Sequence, residues 1–129
     1  MSSKAILVDT SVWINFIKGI ESDEVTKLAT YIEQDDPIYL CPTIIQEVLQ
    51  GINNDKQYGQ VKEYLMAFNI LNDDGIEMAV GSAELYRSLR KKGVKIRKSN
   101  DCLIARFAIK HGLEVLHQDR DFDRIFENI

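Results

Sequence analysis

The chain has 129 residues, of which 45% are hydrophobic and 28% are charged, and its formal net charge is −4. This length and composition allow one hydrophobic core without disulfides or structural zinc, so we expect a single domain over residues 1–129. The negative charge argues against a protein that holds nucleic acid by overall charge alone. No apolar run has the length of a signal-peptide core or a membrane span. We therefore expect a cytoplasmic protein, with Cys41 and Cys102 as buried, reduced thiols.

The chain alternates short apolar runs with amphipathic stretches. Residues 5–8 are typical of a buried strand, and either Thr10 or Ser11 can cap the helix that follows and ends at Gly19. Short apolar runs predict further strands over 38–41, 70–71 and 113–117. Helical spacing and helix stops predict further helices over 22–33, 42–50, 56–68, 76–92, 99–111 and 122–126.

Strands that alternate with helices predict a parallel α/β sheet with helices on both faces. In such sheets the working site lies at the carboxyl ends of the strands, in the crevice where the strand order reverses.

Four acids fall where they can share that crevice. Asp9 directly follows the first strand, and Asp119 comes just past the last one. Asp101 lies in the first turn of a helix that Ser99 can cap, and Glu47 lies beside the apolar stripe of its helix. Taken singly, each acid has a structural explanation as a cap, a turn residue or a solvated side chain.

Taken together, the four acids predict a metal site. Carboxylates that converge on one crevice repel one another, and a bound divalent cation reverses that penalty. The ligand set contains only oxygen, which favours Mg²⁺ or Mn²⁺ over zinc. Such a centre suits phosphoryl transfer with either one or two ions.

Four segments carry a family resemblance. Residues 6–14 (ILVDTSVWI) resemble the opening of a PIN domain, and three later segments resemble its other acidic motifs in the expected order. These later segments are 43–51 (TIIQEVLQG), 99–105 (SNDCLIA) and 117–123 (HQDRDFD). The similarity spans the chain and is greatest to the VapC toxins of toxin–antitoxin pairs.

The resemblance implies a three-layer α/β/α sandwich around a central parallel sheet. It implies a Mg²⁺- or Mn²⁺-dependent endoribonuclease that acts on tRNA or ribosomal RNA, forms a homodimer and is silenced by a cognate antitoxin. Carried over by motif, the catalytic and metal-binding acids are Asp9, Glu47, Asp101 and Asp119, with the hydroxyl of Thr10 or Ser11 orienting Asp9 or a metal-bound water.

Several alternatives stay open at this point. Asp121 rivals Asp119 as the fourth acid, although Asp121 and Asp123 also suit a role in holding the turn or capping the last helix. A housekeeping RNA-processing nuclease or a catalytically degenerate RNA-binding module would share the same fold. A haloacid-dehalogenase-type phosphatase is disfavoured, because it needs a second Asp where this chain has Ser11.

A basic cluster precedes Asp101. Its seven cations, with no acid among them, are Arg87, Arg90, Lys91, Lys92, Lys95, Arg97 and Lys98. A run of charge is usually a solvated face, but the last three of these cations are candidates for contact with RNA phosphates.

Overall fold

A four-stranded parallel sheet forms the centre of the molecule. The structure is a computed structural model that describes residues 4–129, so residues 1–3 of the predicted domain lie outside the described residues. The strands are β1 (Ile6–Val8), β2 (Ile38–Leu40), β3 (Asn69–Ile70) and β4 (Glu114–Leu116). They are ordered β3-β2-β1-β4, and every neighbouring pair is parallel.

Seven helices within residues 4–129 flank the sheet, which confirms the predicted α/β/α class. They are α1 (Thr10–Lys18), α2 (Asp23–Glu33), α3 (Pro42–Gln50), α4 (Asp55–Leu65), α5 (Gly75–Lys91), α6 (Ser99–His111) and α7 (Arg120–Glu127). All three residues of β1 are fully buried, as expected for the central strand of a sheet covered on both faces. In the described part of the chain, no helix is both long enough and apolar enough to cross a membrane.

The strand order reverses at β1. From β1 the chain adds β2 and β3 on one side, and it returns through α6 to add β4 on the other side. The backbone N–H of Asp9 donates to the carbonyl of Leu116 at 2.9 Å, which extends the β1–β4 pairing to the carboxyl edge. The crevice at this edge, between β1 and β4, is where such folds place their ligands.

Two helix caps differ from the expectation. Asp9, not Thr10 or Ser11, caps α1, because its carboxylate accepts from the backbone N–H of Ser11. Lys98, not Ser99, occupies the cap position of α6 and makes no side-chain cap hydrogen bond. Ser99 is instead the first residue of that helix.

The helix α4 ends at Leu65, earlier than the predicted 68. The residues that follow must straighten to join the sheet, where the amide of Leu71 donates to the carbonyl of Leu40 at 2.8 Å. The Asn69 side chain also donates to the carbonyl of Ile38 at 3.1 Å. Sheet pairing therefore overrides a helical pattern that continues in the sequence.

Trp13 is the largest side chain of the core. It is fully buried, and its ring centroid lies 5.3 Å from that of Phe68 and 6.1 Å from that of Phe16. Cys41 and Cys102 are free and buried, as predicted. Gly81 of α5 is also buried, because the Arg106 side chain of α6 lies across it where a side chain would otherwise project.

Candidate active site

A cavity of about 510 Å³ opens at the carboxyl edge of the sheet. It is lined by residues from α1, α3 and α6 and from the segments that directly precede α1, α6 and α7. These residues are Asp9, Thr10, Ser11, Ile14, Asn15, Glu47, Lys98, Asp101, Gln118 and Asp119. The structure therefore brings all four predicted acids to one cavity.

Asp9 sits at the end of β1 and is only 4% exposed. Its Oδ2 accepts from the Ser11 hydroxyl at 2.7 Å and from the Ser11 amide at 3.2 Å. Its Oδ1 is buried without a hydrogen-bond partner among residues 4–129. Burial raises the pKa of Asp9, although the hydrogen bonds from Ser11 favour the charged form.

Asp101 lies in the first turn of α6 and is 5% exposed. Its Oδ2 is also buried and has no partner in the described part of the chain. Burial, followed by the charges of Asp9 and Asp119, raises the pKa of Asp101 to about 8. A carboxylate in this setting is destabilised when charged unless a cation joins it.

Glu47 reaches the cavity from α3. It is half-buried, and its Oε1 accepts a 2.8 Å hydrogen bond from the hydroxyl of Thr10 at the start of α1. The hydroxyl of Thr10 thus orients Glu47, whereas the Ser11 hydroxyl holds Asp9. Of the two candidates for orienting Asp9, Ser11 contacts it, and the contact of Thr10 with Glu47 was not predicted.

Asp119 and Asp121 have different surroundings. Asp119 lines the cavity and caps α7, with Oδ1 accepting from the Asp121 amide at 2.9 Å and Oδ2 lying 3.2 Å from Nζ of Lys98. Burial opposes the charged form of Asp119, but these two contacts outweigh it and lower the pKa. The capping role considered for Asp121 and Asp123 therefore belongs to Asp119.

Asp121 is fully buried and does not line the cavity. Its Oδ2 accepts from the backbone amides of Arg97 and Lys98 at 3.0 and 3.2 Å, which fixes the segment leading into α6. One carboxylate oxygen each of Asp101, Asp119 and Asp121 nevertheless lie within 4.8 Å of one another. Asp121 is thus close to the acidic cavity. Its Oδ2 is engaged by the backbone behind it, whereas its Oδ1 is buried without a hydrogen bond within residues 4–129 and lies 3.6 Å from a guanidinium nitrogen of Arg124.

Two lining residues were not identified from the sequence. The amide group of Asn15, one helical turn after Ser11, donates to the side-chain carbonyl of Gln118. The backbone N–H of Gln118 in turn donates to the Ser11 hydroxyl at 3.3 Å. A polar residue four positions after Ser11 in an otherwise apolar stretch was the available signal for Asn15.

The donor set fits a hard divalent cation. Asp9 Oδ1 and Asp101 Oδ2 are buried carboxylate oxygens without hydrogen bonds to the described residues, and burying a carboxylate oxygen without a partner is costly. The lining contributes carboxylate, hydroxyl and amide oxygen but neither His nor Cys. This chemistry matches magnesium or manganese better than zinc.

Comparison with known proteins agrees with this architecture. The PIN domain model matches residues 6–127. Ribonuclease VapC11 of Mycobacterium tuberculosis is 36% identical over 124 residues, covering 93% of this chain and 90% of that protein.

Two solved structures share the fold. DNA-bound VapBC from Salmonella typhimurium aligns with a TM-score of 0.74 at 20% identity, covering 95% of this chain and 93% of that one. A toxin–antitoxin complex from Klebsiella pneumoniae aligns with a TM-score of 0.71 at 23% identity, covering 92% of this chain and 90% of that one. With a family match over nearly its whole length and a relative of this identity, the chain belongs to the PIN-domain family.

Proposed function

We propose that this protein is a divalent-metal-dependent endoribonuclease and the toxin of a toxin–antitoxin pair. The observation that carries the proposal is the cavity in which two buried carboxylate oxygens have no hydrogen-bond partner among residues 4–129, in a chain related to VapC ribonucleases. Asp9, Glu47, Asp101 and Asp119 are the proposed catalytic and metal-binding residues. The proposed cofactor is Mg²⁺ or Mn²⁺.

Each acid has a distinct part in this proposal. Asp9 and Asp101 offer their unpartnered oxygens to the cation, and Glu47 is aimed into the same cavity by Thr10. A bound divalent cation supplies the charge that polarises a phosphodiester and makes water a better nucleophile. Lys98, which faces the cavity beside Asp119, is placed to attract the phosphate that approaches this acidic centre.

A cleavage assay tests the enzymatic part. Purified protein should cut RNA with Mg²⁺ or Mn²⁺, and EDTA or Asp9→Asn should abolish cleavage. Glu63→Gln is the matched control, because it removes an exposed carboxylate of α4 outside the cavity. Full cleavage in EDTA would overturn the metal mechanism.

Expression in cells tests the toxin part. Wild-type protein should arrest growth, and co-expression of the cognate antitoxin should relieve the arrest. RNA cleavage without arrest would point to a housekeeping nuclease, whereas arrest by Asp101→Asn would point to a binding module.

The partners complete the proposal. Sequencing RNA ends after brief expression identifies the substrate, for which tRNA or ribosomal RNA is expected. The proposed homodimer is tested by sedimentation equilibrium.

A further inference from the structure

A second cavity lies next to the acidic one. It has a volume of about 410 Å³ and is formed by α5 and the first turns of α6. We call it the α5/α6 groove; it is lined by Ala79, Ser82, Ala83, Tyr86, Arg87, Arg90, Ser99, Asn100 and Leu103. Lys98 and Asp101 line the acidic cavity, while Ser99 and Asn100 between them line this groove. The two cavities therefore open on different sides of the first turn of α6.

The groove contains two cations that form no ion pair with the described residues. Arg97 and Lys98 form ion pairs with Asp121 and Asp119. By contrast, within residues 4–129, neither Arg87 nor Arg90 lies within 4.0 Å of a carboxylate oxygen.

The surrounding sequence strengthens this asymmetry. Glu84 is the acid nearest to Arg87 along α5, and no acid follows it before Asp101. Cations near the end of α5 also suit the helix dipole. That effect does not account for two arginines, three residues apart, lining one groove at the first turn of α6.

An aromatic side chain accompanies these arginines. Tyr86 is half-buried in the groove, and the guanidinium carbon of Arg90 lies 5.7 Å from its ring centroid. Aromatic rings and guanidinium planes are the surfaces on which proteins stack unpaired RNA bases. Polar groups of Ser99 and Asn100 flank the same space.

We infer that the α5/α6 groove binds the single-stranded RNA segment next to the phosphate that is cleaved. Arg87 and Arg90 contact backbone phosphates, and Tyr86 stacks with one base. This inference rests on the proposed ribonuclease function and adds the path of the substrate. Charge complementarity, together with a position within one helical turn of the acidic cavity, favours RNA over a protein segment.

RNA binding measured without cleavage tests the inference. A short fluorescein-labelled single-stranded oligoribonucleotide is titrated in EDTA at several KCl concentrations, and anisotropy gives Kd. Arg87→Gln and Arg90→Gln should each weaken binding and lower the slope of log Kd against log salt by about 0.7. Tyr86→Leu should weaken binding about tenfold or more with little change in slope, whereas Tyr86→Phe should retain binding.

Controls separate binding from folding and from overall charge. Lys56→Gln removes an exposed cation of α4 outside both cavities and should leave Kd within about twofold of wild type. Thermal denaturation shows that each variant is folded. Arg90→Lys keeps the charge but loses the planar group, so its affinity should be intermediate.

The outcomes distinguish failure of the groove inference from failure of the proposed ribonuclease function. If wild-type protein cleaves RNA with metal but the Arg87, Arg90 and Tyr86 variants bind like wild type, the groove inference is overturned and the ribonuclease stands. If those variants change only the oligomeric state or antitoxin binding, the groove is a protein interface and the inference is again wrong. If wild-type protein neither binds nor cleaves RNA, both fail.

Discussion

The hydroxyl of Thr10 donates a 2.8 Å hydrogen bond to Oε1 of Glu47, which joins two residues 37 positions apart. This contact ties the start of α1 to the middle of α3. It aims a half-buried carboxylate into the cavity next to Asp9. Thr10 therefore contributes to the site through another residue.

Removing that hydroxyl should lower activity without unfolding the protein. Thr10→Ala leaves Glu47 free to turn away, so RNA cleavage should fall about 10- to 100-fold. Thr10→Ser keeps the donor and should stay near wild type. The measurement is kcat/KM for RNA cleavage, together with Mn²⁺ affinity by calorimetry. Wild-type rates in Thr10→Ala would contradict the positioning role.

Neutralising Asp101 should separate stability from activity. Burial and the charges of Asp9 and Asp119 disfavour its charged form, so Asp101→Asn should raise the Tm of the metal-free protein. The same change should reduce cleavage more than about 100-fold, because a proposed metal ligand is lost.

The metal response is the second readout for Asp101. Mn²⁺ should raise the Tm of wild type but hardly that of the variant. A variant with lower metal-free Tm and an intact Mn²⁺ response would refute this reading of Asp101.

Asp119 and Asp121 should differ in the kind of damage their loss causes. Asp121→Ala removes a fully buried carboxylate that accepts from two backbone amides, and it should cost about 2–4 kcal/mol of unfolding free energy. Asp119→Ala removes a helix cap worth about 1 kcal/mol, yet it should abolish cleavage. Urea denaturation and a cleavage assay on both variants give the comparison. If Asp121→Ala were stable but inactive, Asp121 rather than Asp119 would be the fourth acid of the site.

The two thiols should resist modification in the folded protein. Burial raises the pKa of both Cys41 and Cys102 to about 11, so about one thiol in a thousand is ionised at pH 8. Ellman's reagent at pH 8 should label neither residue until guanidinium unfolds the chain. Rapid reaction of one thiol in native protein would show that this part of the core opens readily.

Much of the fold follows from local signals in the sequence. Buried apolar runs predict β1, β2 and β4, and Gly19 and Gly112 end helices in the left-handed conformation that glycine favours. The predicted end of α4 was wrong, since pairing of Asn69 and its neighbours with β2 is a long-range effect. Local spacing carries no information about such pairing.

The site was predictable in its members but not in its hydrogen bonds. Strand ends predicted the place of Asp9 and Asp119, and a helix start predicted that of Asp101. The apolar stripe of α3 predicted that of Glu47, and all four acids line the same cavity. The separation of Asp119 from Asp121 depends on backbone amides 23 and 24 residues away, at Lys98 and Arg97. The roles of Asn15 and Gln118 likewise require their mutual contact in space.

The position of β4 beside β1 has a consequence for synthesis on the ribosome. β1 and Asp9 are made early in translation. β4, which pairs with β1 on one side, and Asp119, which follows β4, are made only after residue 113. A nascent chain that has not reached residue 119 exposes one edge of its central strand and lacks part of the acidic cavity. The acidic cavity therefore cannot be complete until β4 and Asp119 have been translated.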